Sequence, residues 1–158
     1  MRLTVYTDYS LRVLMFLAIK GDELATIAEI AKAYAISKNH LMKVAHQLGL
    51  AGYVETVRGK GGGLRLAREP QDIVLGEVVR RTEPEMALVP CFDPADVSCA
   101  IFSGCVLRGV LSEARGAFLA TLDRHTLADL VRPRASLQKS LAFKPNARTA
   151  GQRAARRA

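Results

Sequence analysis

Four things are missing from this 158-residue chain. No charged-then-apolar leader follows Met1, so no signal peptide is read there. No apolar stretch approaches the ~20 residues that cross a bilayer, so no membrane partner is expected. Together these predict a cytoplasmic protein. No cysteine stands outside CFDPADVSCAIFSGC, the segment between Cys91 and Cys105 that holds all three. No acidic residue occurs in residues 133–158, which carry seven basic ones.

Each absence narrows the function. In a reducing compartment, clustered thiols point to metal ligation or redox chemistry rather than structural disulfides. An odd number also leaves one thiol over in any monomeric disulfide scheme. The acid-free segment is poor in large apolar side chains and contains Pro133 and Pro145, so residues 133–158 read as a disordered basic tail. No acid–base pair or substrate pocket can be read, and an enzyme is not expected.

The net charge is +8, unevenly spread. Residues 37–68 carry six basic groups (Lys38, Lys43, Arg58, Lys60, Arg65, Arg68) against Glu55 alone, whereas residues 69–132 are net acidic. The first basic block falls where a fold is expected. TDYSLRVLMFLAIKGD predicts a helix capped by Thr7 and stopped by Gly21. It is apolar almost all round, which suggests burial of more than one face, including against a second subunit. TIAEIAKAYA predicts a short helix with a Thr26–Glu29 capping box. SKNHLMKVAHQLGLAG follows at once, with Ser37 as cap and Leu41, Val44, Ala45 and Leu48 on the buried face. That leaves Lys38, Asn39, His40, Lys43, His46 and Gln47 outward. Two helices joined by a tight turn, the second basic and amide-rich, describe a helix-turn-helix.

The period then changes. YVETV and LRLA predict short strands around RGKGGG, where three glycines suit a hairpin tip carrying Arg58 and Lys60. A hairpin in this place is the wing of a winged helix. A phosphate loop is not indicated, since no Lys-Ser/Thr pair opens a helix there. IVLGEVVRRTEP predicts a further helix ended by Pro84. From about Gly104 a long helix is expected to run to Pro133, with Leu107, Leu111, Ala114, Phe118, Leu122 and His125 recurring at helical spacing and Val110, Ala117 and Thr121 beside them. Such a helix beyond a small domain suggests pairing with a second copy, the alternative being packing on its own domain. The fold class is therefore mainly α, a winged helix-turn-helix with a long C-terminal dimerisation helix. Residues 1–83 form the DNA-binding domain, 84–132 the cysteine loop and dimerisation helix, and 133–158 the tail.

Asparagine and glutamine can read adenine edges and lysine guanine edges in the major groove. His40 and His46 can donate to bases or phosphates, and Arg58, Lys60 and Arg65 suit phosphates or a narrow minor groove. Double-stranded DNA is thus the expected partner, contacted by Ser37, Lys38, Asn39, His40, Lys43, His46 and Gln47 of the helix and by Arg58, Lys60 and Arg65 of the hairpin. The Cys-x₇-Cys-x₅-Cys spacing is not the paired grammar of zinc ribbons. Ser103 can cap the helix near Cys105, whose positive end favours a thiolate. Three thiolates suit an iron–sulfur cluster or zinc, with free redox thiols as a third reading.

MRLTVYTDYSLRVLMFLA, ISKNHLMKVAHQLGLAGYVETVRGKGGGLRLA and the three-cysteine loop resemble the bacterial winged-helix iron–sulfur repressor family that includes IscR and NsrR, over roughly residues 1–131, and most nearly its nitric-oxide-sensing branch. The resemblance implies a homodimer whose long helices cross, a near-palindromic operator, and a cluster, 4Fe–4S in preference to 2Fe–2S, held by Cys91, Cys99 and Cys105. It implies that Asp8, reaching across from the other subunit, completes the ligand set. An acid in a first helical turn is also accounted for by the helix dipole and by Arg12 at i+4. The IscR branch uses a histidine three residues after the last cysteine, and Arg108 stands there here. By this likeness the protein is a repressor whose cluster reacts with nitric oxide and releases DNA. The alternatives are a regulator of cluster supply or redox state and a DNA-binding protein with structural zinc.

Overall fold

The computed structural model describes residues 2–93, 95, 96 and 98–143. Helix α1 (Val5–Lys20) lies at the centre, followed by α2 (Ile27–Tyr34), α3 (Lys38–Leu50), β1 (Val54–Val57) and β2 (Gly63–Leu66). The chain continues through α4 (Leu75–Thr82), α5 (Val106–Asp123), α6 (Leu127–Leu130) and α7 (Arg134–Ser140). This is the expected mainly helical winged helix with a C-terminal helix.

Leu14, Leu17, Ile19, Ile30, Leu41, Leu48, Ile73 and Leu127 are each less than 2% exposed and form the core with Tyr53. Each such side chain contributes about 1.5–3 kcal/mol on leaving water. The faces of α1 are covered by α3, α4, α6, α7 and β2 of the same chain. Much of its all-round apolar character is thus met within the chain, while Tyr6, Tyr9, Leu11 and Met15 stay half-buried.

The helix-turn-helix forms as its caps dictate. Thr26 and Glu29 make the reciprocal capping box. Ala35 ends α2 in the left-handed region at φ 54°, and Ile36 donates its N–H to Ala31 O at 3.0 Å, turning the chain tightly into α3. Ser37 occupies the N-cap position of α3 without making a side-chain cap bond. The start of α1 differs from expectation. Thr4 is the N-cap, and Thr7, fully buried one turn inside, donates its N–H to Thr4 Oγ1 at 3.2 Å.

In the wing β1 and β2 pair antiparallel, with Glu55 opposite Arg65, and Leu64 exchanges backbone bonds with Ala25 at 2.7 and 2.9 Å. The glycines are required at the tip: a Cβ on Gly62 would lie 2.2 Å from Val57 O.

The long helix is interrupted. It ends at Asp123, and Leu75 N bonds His125 O at 2.9 Å while Leu127 N bonds Ile73 O at 2.8 Å. Leaving the helix at Arg124 lets Leu127 enter the core, and a Thr126–Asp129 capping box then opens α6. The expected disorder after Pro133 is corrected in its first part. Helix α7 folds back, Arg134 Nη2 bonds Ile19 O at 2.6 Å, and the Phe143 ring lies 4.7 Å from Phe16. Residues 144–158 of the expected tail lie outside the described residues.

Candidate DNA-binding surface and thiol loop

Helix α3 buries Leu41, Val44, Ala45 and Leu48, and the 3.6-residue period therefore turns Lys38, Asn39, His40, Lys43, His46 and Gln47 outward, all exposed. Met42, 52% exposed, lies on the same outward face, an apolar member of a face that reads as polar in the sequence. Its spacing to Lys38, Asn39, Lys43 and His46 is the signal that finds it. Asn39, Lys43 and Gln47 have the reach for base edges, and Met42 the apolar surface for a thymine methyl.

On the wing, Arg58 and Lys60 are exposed in the turn. Arg65 is engaged by its cross-strand partner Glu55, so part of its charge is already answered. The wing cations thus differ in role: two stand on the tip and one is tied into the ladder.

The thiol loop joins α4 to α5. Cys91 sits in a short 3₁₀ turn (Pro90–Phe92), half-buried; Cys99 is exposed; Cys105, half-buried, is itself the N-cap residue of α5, displacing Ser103 from that role. All three thiols are free. Arginines of α5 bind the loop: Arg108 Nε donates to Cys91 O at 3.1 Å and its guanidinium lies 4.7 Å from the Phe102 ring, while Arg115 lies 4.7 Å from that of Phe92. The backbone at Cys91 is thereby tied to the helix that Cys105 caps. Among the described residues of one chain, no three histidine, cysteine, aspartate or glutamate side chains converge on a metal position. As a donor set, three free thiols in one braced loop fit a thiophilic metal group.

Asp8 stands apart from this loop, in the first turn of α1, and forms an ion pair with Arg12. Beside it, Tyr9 packs against His40 of α3, ring centroids 6.3 Å apart. Helix α1 therefore carries the candidate fourth ligand and touches the first turn of the outward-facing helix.

Helix α5 has two apolar faces where the sequence suggests one. Leu111, Phe118, Leu119 and Leu122 are half-buried on the inward side, where Arg80 grips Asp123 with bonds of 2.6 and 2.7 Å. Leu107, Val110, Ala114, Ala117 and Thr121 face outward, with Leu107 62% and Val110 55% exposed.

Residues 3–133 match the family profile described as Rrf2, iron-dependent transcriptional regulator. The HTH-type transcriptional regulator NsrR of Bacillus subtilis is 54% identical over 145 residues, covering 91% of this chain and 99% of that protein. The solved structure of CymR, the global cysteine regulator of B. subtilis, superposes with a TM-score of 0.68 at 27% identity, covering 82% of this chain and 95% of that one. The IscR of T. potens shares the fold, with a TM-score of 0.69 at 24% identity over 95% of this chain and 96% of its own. This chain belongs to the Rrf2 family of transcriptional regulators.

Proposed function

We propose that the protein is a homodimeric, cytoplasmic repressor that binds a near-palindromic DNA operator, carries an iron–sulfur cluster, and leaves DNA when nitric oxide attacks that cluster. The observation that carries the reading is the double engagement of α1. Its Asp8 is the candidate ligand, and the adjacent Tyr9 rests on His40 of α3. Whatever fixes Asp8 also fixes the first turn of the helix that would read the operator.

The outward face of α5 supports the dimer. Leu107, Val110, Ala114, Ala117 and Thr121 recur at alternating spacings of three and four, the pattern of a coiled-coil seam. A two-fold axis at Ala114 pairs the helices antiparallel, Leu107 of one opposite Thr121 of the other. By that symmetry Cys105 of one subunit lies opposite Asp123 of the other, five residues beyond Phe118. Phe118 lines a cavity of about 380 Å³ with Leu3, at the start of the helix that carries Asp8.

Cys91, Cys99 and Cys105 would hold the group, and Asp8 from the other subunit would complete the set. A 4Fe–4S cluster is favoured over 2Fe–2S. When bound, the cluster supplies iron open to nitric oxide, with the oxygen-held iron its most labile corner because a hard carboxylate suits iron less than thiolate does. Without the group, Asp8 would be left to its ion pair with Arg12. The first turns of α1 then lose their cross-subunit tie, and the spacing of the two α3 helices, roughly 34 Å or a multiple for half-sites one turn apart, is no longer held. A tenfold fall in affinity needs only about 1.4 kcal/mol of differential stabilisation.

The test is anaerobic purification with an absorption spectrum and iron and sulfide counts, on wild type and Asp8→Ala. DNA affinity is then measured before and after nitric oxide. Colourless, sulfide-free protein containing zinc, or affinity indifferent to nitric oxide, defeats the reading. Comparing nitric oxide with iron starvation on one operator separates it from a sensor of cluster supply.

A further inference from the structure

Glu83 is a buried acid, 8% exposed, at the last position before the thiol-loop segment begins. Its backbone is fixed by α4, whose C-cap it forms, with its N–H bonded to Val79 O at 2.8 Å. Its carboxylate reaches to the far end of the domain in sequence. Oε1 accepts the backbone N–H of Thr4 at 2.7 Å and the Thr4 hydroxyl at 3.1 Å. Thr4 Oγ1 in turn accepts the N–H of Thr7, and Thr4 O accepts that of Asp8 at 3.1 Å. A threonine alone satisfies a helix start, and burying a carboxylate is costly. The acid therefore does something the cap does not: it bolts the first turn of α1 to the point where Pro84 starts the chain toward Cys91.

We propose that Glu83 is a positioning residue that holds Asp8 in place for ligation. The proposal rests on the reading of Asp8 as a cluster ligand and deepens it. The positive end of α1 faces the Glu83 carboxylate, which favours the bonded state. Two bonds from one oxygen to one residue fix both the position and the direction of the turn. Asp8, four residues on, inherits that placement through its own N–H bond to Thr4 O.

Two measurements on Glu83→Ala and Glu83→Gln test this in the full chain. The first is amide hydrogen exchange of the metal-free protein. Glu83→Ala should speed exchange at Thr7 and Asp8 by about tenfold or more, with core amides of α3 unchanged, and Glu83→Gln, whose oxygen still accepts, by less. The second is the rate of cluster loss to a chelator. Glu83→Ala should lose its cluster about as fast as Asp8→Ala, the double variant no faster than Asp8→Ala alone, and Glu83→Gln close to wild type. Unchanged exchange at Thr7 and Asp8, or effects of Glu83→Ala and Asp8→Ala that multiply, overturns the proposal. Should wild type carry no inorganic sulfide, the cluster reading fails and the exchange measurement alone decides whether Glu83 holds Asp8. Should Glu83→Ala melt below the assay temperature, Glu83→Asp, one methylene too short to reach Thr4, carries both measurements, and exchange at Thr7 and Asp8 together with cluster loss identical to wild type would overturn the proposal.

Discussion

Arg12 grips Asp8 at two points, Nε to Oδ1 and Nη2 to Oδ2, both at 2.9 Å. The pair spans one helical turn and is 42% and 45% exposed, so it is worth only about 0.3–0.5 kcal/mol. A metal competes easily with so weak a partner. Arg12→Ala should therefore lower the stability of metal-free protein by no more than about 0.5 kcal/mol in urea unfolding, while Asp8→Ala shortens cluster lifetime severalfold. A loss above 2 kcal/mol for Arg12→Ala would show that Asp8 is not free to leave.

Base and phosphate contacts separate by salt. Asn39→Ala or Lys43→Ala should cost about 1–3 kcal/mol on a preferred site and relax its sequence preference. Arg58→Ala should weaken binding to all duplexes alike and reduce the slope of log affinity against log salt by about 1. Arg65→Ala should change that slope less than Arg58→Ala, because Glu55 already partners it. Binding assays across a salt series on selected and random duplexes measure all four.

The two faces of α5 predict opposite mutational outcomes. Ala114→Glu puts like charges together at the two-fold axis, so sedimentation should show monomers with unchanged helical content. Leu122→Ala, on the inward face, should lower the melting temperature and leave the dimer intact at assay concentrations. Dimers that survive Ala114→Glu would move the seam elsewhere.

Acid acts on the α1–α2 contact. Burial tends to raise the pKa of Glu29, but the Lys20 ammonium and the two Thr26 bonds outweigh it and hold the carboxyl below its ordinary value. A lowered folded-state pKa stabilises the fold above the ordinary glutamate range, and the contribution fades as pH falls through the folded value. Glu29→Gln keeps a capping-box side chain but loses the charge. Its deficit against wild type should be present at pH 7 and shrink as the solution is acidified past the glutamate range. A deficit constant with pH would place the effect in packing.

Much of the DNA-binding half was legible in the sequence. The 3.6-residue period named Leu41, Val44, Ala45 and Leu48 as buried, Thr26 and Glu29 as a reciprocal cap, and the residues around Gly62 as a hairpin tip. These features are local. Periodicity, caps and turn glycines act within a few residues, where the chain itself sets the geometry. The three thiols were legible as candidates for the same reason, by type and spacing.

Long-range contacts were not. The start of α1 moved from Thr7 to Thr4 because a carboxylate from residue 83 secures it. The long helix broke at Arg124 because Leu127 gains more by entering the core than by extending a helix into water. The single apolar stripe of α5 became two faces, because only docking on α4 decides which side is already covered. Helix α7 and Phe143 folded onto α1, where composition suggested disorder, since a ring that can stack on Phe16 outweighs the polar character of its neighbours. Sequence by itself determined the helix-turn-helix, the wing and the thiol cluster. Tertiary structure decided which ends meet, because contacts between residues far apart in the chain depend on how much surface each can bury.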